Sequence, residues 1–150
     1  MALANMTQKE TDRENFEHCK RIAETLEKYA NGEIFKCPVC GEECECTEEE
    51  NENGDTVYIM ECGCTTEEEP EQMSLYDYFS DCLDIEYRCD SKKEYRSVCV
   101  MVTCGGPNIY IDTASKAVEL YWWGDRARYS LLSDTVNAID DWAEEYWNCL

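Results

Sequence analysis

Twelve cysteines in 150 residues are the side chains with the most chemistry to offer, and their spacing is uneven. Cys37-Pro38-Val39-Cys40-Gly41 is a CxxC knuckle, in which the proline fixes the turn and the glycine lets the backbone curl so that amide groups point at the sulfurs. Cys62-Gly63-Cys64 follows after an insert of 21 residues, at the end of a β-rich stretch. Two close thiol pairs of this kind supply four soft, anionic ligands, the donor set of a tetrahedral structural zinc site. Cys37, Cys40, Cys62 and Cys64 are therefore the expected metal ligands, with zinc as the cofactor. Cys44 and Cys46 are a competing pair that can replace Cys62 and Cys64 or take a second ion, although they lie too near the first knuckle to enclose a hairpin.

Catalytic readings fare worse. A redox-active CxxC needs a helix N-terminus to lower its thiol pKa, whereas Gly41-Glu42-Glu43-Cys44-Glu45-Cys46 surrounds this one with carboxylates. A closed four-cysteine site leaves no coordination position for water. One histidine, His18, cannot build a confident Ser-His-Asp or Cys-His set. Cys104-Gly105-Gly106-Pro107-Asn108 lacks the Lys-Ser/Thr of a phosphate loop and reads as a turn. No catalytic residues and no enzyme activity are expected; a zinc-dependent thiol enzyme is the weakest alternative. Cys19, Cys82, Cys89, Cys99, Cys104 and Cys149 fall on apolar faces or element ends and read mostly as buried free thiols.

The elements that must position the cysteines follow from hydrophobic period. Phe16, Cys19, Ile22, Ala23, Leu26, Tyr29 and Ala30 recur at three- and four-residue steps, which predicts an amphipathic helix from Thr7 to Gly32. Thr7 with Glu10, or Thr11 with Glu14, can form its capping box, and Asn31-Gly32 its stop. In the segment 33–71 the pairs at Cys37 and Cys62 flank a hairpin whose tip is Asn53-Gly54 and whose returning strand is Thr56–Met60, a layout that resembles a zinc ribbon. Glu67-Glu68-Glu69-Pro70-Glu71 reads as a linker. A short helix capped by Ser74 comes next. Strands are predicted at Ile85–Cys89, Tyr95–Cys104, Asn108–Asp112 and Ala117–Trp123. A closing helix capped by Ser133 buries Leu132, Val136, Ile139, Ala143 and Tyr146, with Trp142 and Trp147 on its flanks. The expected fold is α+β: an antiparallel four-stranded meander packed with N- and C-terminal helices, plus a small zinc-ribbon module. The expected division is 1–32 amphipathic helix, 33–71 acidic ribbon insert and 72–150 α+β body. Tyr121-Trp122-Trp123 puts three aromatics in a row on a strand, so at least one faces away from the core, where it serves packing or a partner.

Charge then narrows the partner. Thirteen Lys and Arg oppose 34 Asp and Glu, a net −21, and the thirty residues from Glu42 to Glu71 hold twelve Glu, Asp55 and no Lys or Arg. Such a surface repels phosphate backbones and anionic bilayers, so no direct nucleic-acid or membrane binding is expected, and the fitting partner is a basic protein surface. The tip residues Glu48, Glu49, Glu50, Glu52 and Asp55, with Glu67, Glu68 and Glu69, are the expected contacts. No apolar run approaches bilayer length, and Met1 to Glu10 lacks a basic segment followed by an apolar one, which places the chain in a reducing cytosol.

Cys104-Gly-Gly-Pro-Asn-Ile-Tyr-Ile-Asp-Thr113, followed by Val118-Glu-Leu-Tyr-Trp-Trp-Gly124 and preceded by the cysteine-rich acidic insert, resembles the type II-A anti-CRISPR proteins of phages and mobile elements. The resemblance is strongest in the C-terminal half. It implies a bacterial host cytoplasm, Cas9 as the partner, and inhibition by binding without catalysis, often through an acidic surface. The positively charged nucleic-acid channel of Cas9 is a suitable target for such a surface, with target-DNA loading the step impeded. The alternative is a zinc-ribbon adaptor or regulator docking on host transcription or replication machinery, for which Tyr121 and Trp122 are the available reading surface.

Overall fold

The computed structural model describes residues 7–150. Residues 1–6, on which the expected absence of a leader partly rests, lie outside the described residues. The chain divides into two compact units: one takes the chain up to Glu27 together with Phe79–Leu150, the other is Lys28–Tyr78.

The first unit is built on five strands in sequence order: β7 (Asp84–Cys89), β8 (Tyr95–Thr103), β9 (Asn108–Asp112), β10 (Ala117–Trp122) and β11 (Asp125–Ser130), each antiparallel to the next. The α+β class is as expected, but the sheet has five strands where four were predicted. β11 escaped because Asp125-Arg126-Ala127-Arg128 has poor strand propensity. Its register against β10, from Trp122 opposite Asp125 to Ala117 opposite Ser130, supplies the stability its composition lacks. Val98, Val100, Ile109, Ile111, Val118 and Leu120 are all fully buried on one sheet face. Helix α1 (Gln8–Ala30) meets that face through Phe16, whose ring lies 5.4 Å from Tyr129, and α3 (Ser133–Trp147) through Trp147, 5.7 Å from Tyr87. Trp142 is buried and stacks at 4.3 Å on Phe79, which opens a 3-10 turn over Phe79–Asp81. The closing helix therefore buries Thr135, Val136, Ile139, Trp142 and Ala143, while Leu132 and Tyr146 are exposed. This is a rotation of the predicted face toward the largest apolar side chain. The cap also differs: Leu132 occupies the N-cap position and makes no side-chain capping bond.

On the opposite sheet face the guanidinium of Arg88 donates two parallel hydrogen bonds of 2.9 Å to the carboxylate of Asp112. Asp112 Oδ1 also accepts from the N–H groups of Ala114 and Ser115, which fixes the turn into β10.

The second unit starts with the end of α1. Glu33 N–H donates to Lys28 C=O and Gly32 N–H to Tyr29 C=O, with Gly32 at φ 72°, a Schellman stop. Two small sheets follow. One joins β2 (Glu43–Cys44), β1 (Phe35–Lys36) and β6 (Glu71–Gln72); the other joins β3 (Cys46–Glu50), β4 (Thr56–Met60) and β5 (Thr65–Thr66). Glu71, predicted as the end of a linker, and the following Gln72 thus pair with β1. The unit closes with α2 (Leu75–Tyr78), before which Ser74 N–H and Oγ donate to Asp77 Oδ2.

Candidate metal centre and acidic hairpin

Each half of the centre is a tight turn between two strands. In the first, Cys37 N–H donates to Glu42 C=O at 2.8 Å and Gly41 N–H to Cys37 C=O at 2.9 Å, closing the β1–β2 hairpin around Pro38-Val39-Cys40. In the second, Met60 N–H donates to Cys64 C=O and Gly63 N–H to Met60 C=O, both at 2.9 Å, closing β4–β5 around Cys62. Gly41 at φ 80° and Gly63 at φ 101° occupy the left-handed region that other residues reach only with strain. The glycine after the CxxC and the glycine inside the CxC are thus what each turn's backbone requires.

The two turns bring the sulfurs of Cys37, Cys40, Cys62 and Cys64 within 4.8 Å of one another. Cys40 and Cys62 lie 3.5 Å apart, Sγ to Sγ. A tetrahedral ion with metal–sulfur bonds of about 2.3 Å demands sulfur–sulfur edges of about 3.8 Å, so the cluster has the dimensions of a four-thiolate site and can hold a metal ion. The N–H of Cys40, helped by that of Val39, holds the Cys37 thiol down to about 7, while the sulfurs of Cys62 and Cys37 push Cys64 up to about 12. Neighbouring sulfurs resist sharing further negative charge without a cation between them.

Among the described residues Cys44 and Cys46 fall outside this cluster. Cys44 is buried beside Cys37 and Met60, with Cys46 and Tyr58 packed against the group, so these thiols floor the site. His18 also stands outside it, half-buried on α1, where burial and Arg21 hold its imidazole below the usual pKa. Of the remaining thiols Cys19 is buried, Cys82 and Cys99 are half-buried, and Cys89, Cys104 and Cys149 are exposed, so fewer are buried than their apolar settings predicted.

The acidic residues fall on the same unit as the thiols. Glu48, Glu49 and Glu50 lie on β3, opposite Tyr58, Val57 and Thr56. Glu52 and Asp55 flank a tip set by Asn51, whose Oδ1 accepts from the N–H of Asn53 and Asp55, with Gly54 at φ 76°. Glu67, Glu68 and Glu69 follow β5. All eight are exposed, and among the described residues none forms an ion pair.

The aromatic run resolves by strand alternation. Trp122 is half-buried, Tyr121 is 37% exposed, and Trp123 leaves the strand altogether at 84% exposure. The sequence placed an outward aromatic here but did not signal that Trp123 would sit in a turn at φ 50°. No helix among the described residues is long and apolar enough to cross a membrane. No protein-family model, curated protein or solved structure matches the chain.

Proposed function

We propose that this is a non-catalytic binding protein that holds a structural zinc ion at Cys37, Cys40, Cys62 and Cys64 and docks its acidic ribbon on a basic protein surface. The observation that carries the reading is the row of exposed carboxylates, Glu48, Glu49, Glu50, Glu52 and Asp55, on the hairpin whose base carries the second thiol turn. Among the described residues no cation pairs with these side chains, and the metal would rigidify the hairpin that presents them. Four thiolates in tetrahedral dimensions favour zinc over harder cations, and a closed donor set suits folding rather than hydrolysis.

The resemblance carried by Cys104–Thr113 and Val118–Gly124 supports Cas9 as the basic partner and a bacterial host cytoplasm as the compartment. Electrostatic capture at the nucleic-acid channel would compete with target DNA. Titrating the zinc-loaded protein into guide-loaded type II-A Cas9, with DNA binding and cleavage read separately, tests this. Loss of both, weakening steeply with added salt, is the expected result. Unchanged binding and cleavage would remove Cas9 and leave the ribbon adaptor of host transcription or replication machinery as the function.

A further inference from the structure

The five-stranded sheet ends in β11 and the sheet β3–β4–β5 ends in β3, so each of these strands is paired on one side alone. The hydrogen bonds that flank each ladder fix which backbone groups face outward. Leu131 N–H donates to Lys116 C=O just past the β10–β11 pairs. By alternation Asp125, Ala127 and Tyr129 bond to β10, while Arg126, Arg128 and Ser130 turn their N–H and C=O outward. At the ends of β3–β4, Glu61 N–H donates to Glu45 C=O and Asn51 N–H to Asp55 C=O. Thr47 and Glu49 therefore bond inward, and Cys46, Glu48 and Glu50 face outward. Among the described residues no backbone hydrogen bond reaches either outward set. Such an edge is a template for a further strand.

The two edges carry opposite local charge. Arg126 and Arg128 are exposed on one face of β11, with Asp125 on the other. Glu119 stands opposite Arg128 on β10, but its oxygens accept from Ser115 Oγ and Tyr121 OH. Arg128 donates to Ser115 C=O, and among the described residues neither arginine has an ion pair. Glu48 and Glu50 are exposed with the same two-residue spacing on one face of β3, where Tyr58 and Thr56 are their neighbours across the ladder.

We propose that the β11 edge takes β3 of a second copy of this chain, added antiparallel with Glu50 opposite Arg126, Glu48 opposite Arg128 and Cys46 opposite Ser130. In this register each outward residue meets an outward residue, the condition for exchanging both N–H···O bonds, and each arginine directly faces a carboxylate. Local charge selects the occupant. Pairing β3 with a second β3 about Glu48 or Glu49 sets Glu against Glu, and pairing β11 with a second β11 about Ala127 or Arg128 sets Arg against Arg, both destabilising. On the other long edge, β7, the bond from Thr113 N–H to Val98 C=O makes Ile85 and Tyr87 the outward residues, which would set apolar side chains against the arginines. At physiological salt the repulsion between two chains of net −21 is screened beyond about 8 Å, so the contact is decided at the strands themselves. The inference does not rest on Cas9 or any other basic protein being the partner, although such a partner would compete for Glu48 and Glu50.

Sedimentation equilibrium of the zinc-loaded full chain with its thiols reduced, at physiological salt, should show reversible self-association. One variant carries Arg126→Glu with Arg128→Glu, and another carries Glu48→Arg with Glu50→Arg. Each alone should associate roughly 10- to 100-fold more weakly than the parent, whereas their equimolar mixture should recover the parent's affinity, because every edge again faces its opposite charge. Recovery would also show that both variants are folded. In the parent itself, the N–H groups of Glu48, Glu50, Arg126 and Arg128 should gain protection from hydrogen exchange as concentration rises. A parent that stays monomeric at millimolar concentration, variants that associate as the parent does, or outward amides that gain no protection would overturn the proposal.

Discussion

Asp112 shows how a single carboxylate is set by its surroundings. Burial alone would push it up, but the Arg88 fork and the N–H groups of Ala114 and Ser115 outweigh that and hold it below the usual carboxylate range. Because the folded value lies beneath the unfolded one of about 3.9, the stabilisation is complete above about pH 4 and is lost as pH falls through the lowered folded value. Arg88→Met should therefore cost about 1–2 kcal/mol at neutral pH, allowing for its part exposure. Denaturant titrations should show the gap between variant and parent closing in acid; a gap that persists there would mean lost packing instead. The thiols offer a second test. Cys40→Ser should abolish tight binding of one metal ion per chain, whereas Cys46→Ser should keep it, as read by elemental analysis after exhaustive dialysis. Core size appears at Ile139, fully buried on α3, where truncation to alanine should cost about 2–5 kcal/mol.

At the scale of elements, local signals worked where the side chain itself made the bond. Of the two capping boxes the sequence allowed, the one built is Thr7 with Glu10: Thr7 N–H donates to Glu10 Oε2 at 3.1 Å, and Glu10 N–H to Thr7 Oγ1 at 3.2 Å. Thr7→Ala should lower stability by about 1 kcal/mol and speed amide exchange in the first turn of α1. The Gly32 stop, the Asn53-Gly54 tip and the edges of β4 and β9 were equally legible, because glycine geometry and β-branched runs need no distant partner. β11 was not. Its signals were the two-residue turn before it and the inward alternation of Ala127 and Tyr129, both weak until β10 is present to pair with. The cap of α3 slipped by one residue and its buried face rotated, since the choice between Trp142 and Tyr146 is made by the sheet that receives them.

Across the whole molecule, apolar burial is unevenly shared. Of the 22 buried hydrophobic residues among those described, six, Ile34, Cys37, Cys44, Met60, Met73 and Leu75, belong to Lys28–Tyr78, and two of these are cysteines. With so little core in that unit, a metal ion held by the four thiols would contribute folding free energy there. Chelation should raise hydrogen exchange throughout Lys28–Tyr78 while β8, β9 and β10 stay protected, as mass spectrometry would show; uniform protection after metal removal would detach stability from the thiols.

What the sequence determined by itself is whatever depends on residue type at short range: the glycine-bearing thiol turns, the caps and stops, the amphipathic period of α1, and the acidic charge concentrated between Glu42 and Glu71. Tertiary structure alone decided the meeting of the two thiol turns, because Cys44 and Cys46 offered the same chemistry at shorter range. It also decided the fifth strand and the exposure of Trp123. Each of these depends on partners far apart in the chain, and only the register of paired strands brings them together.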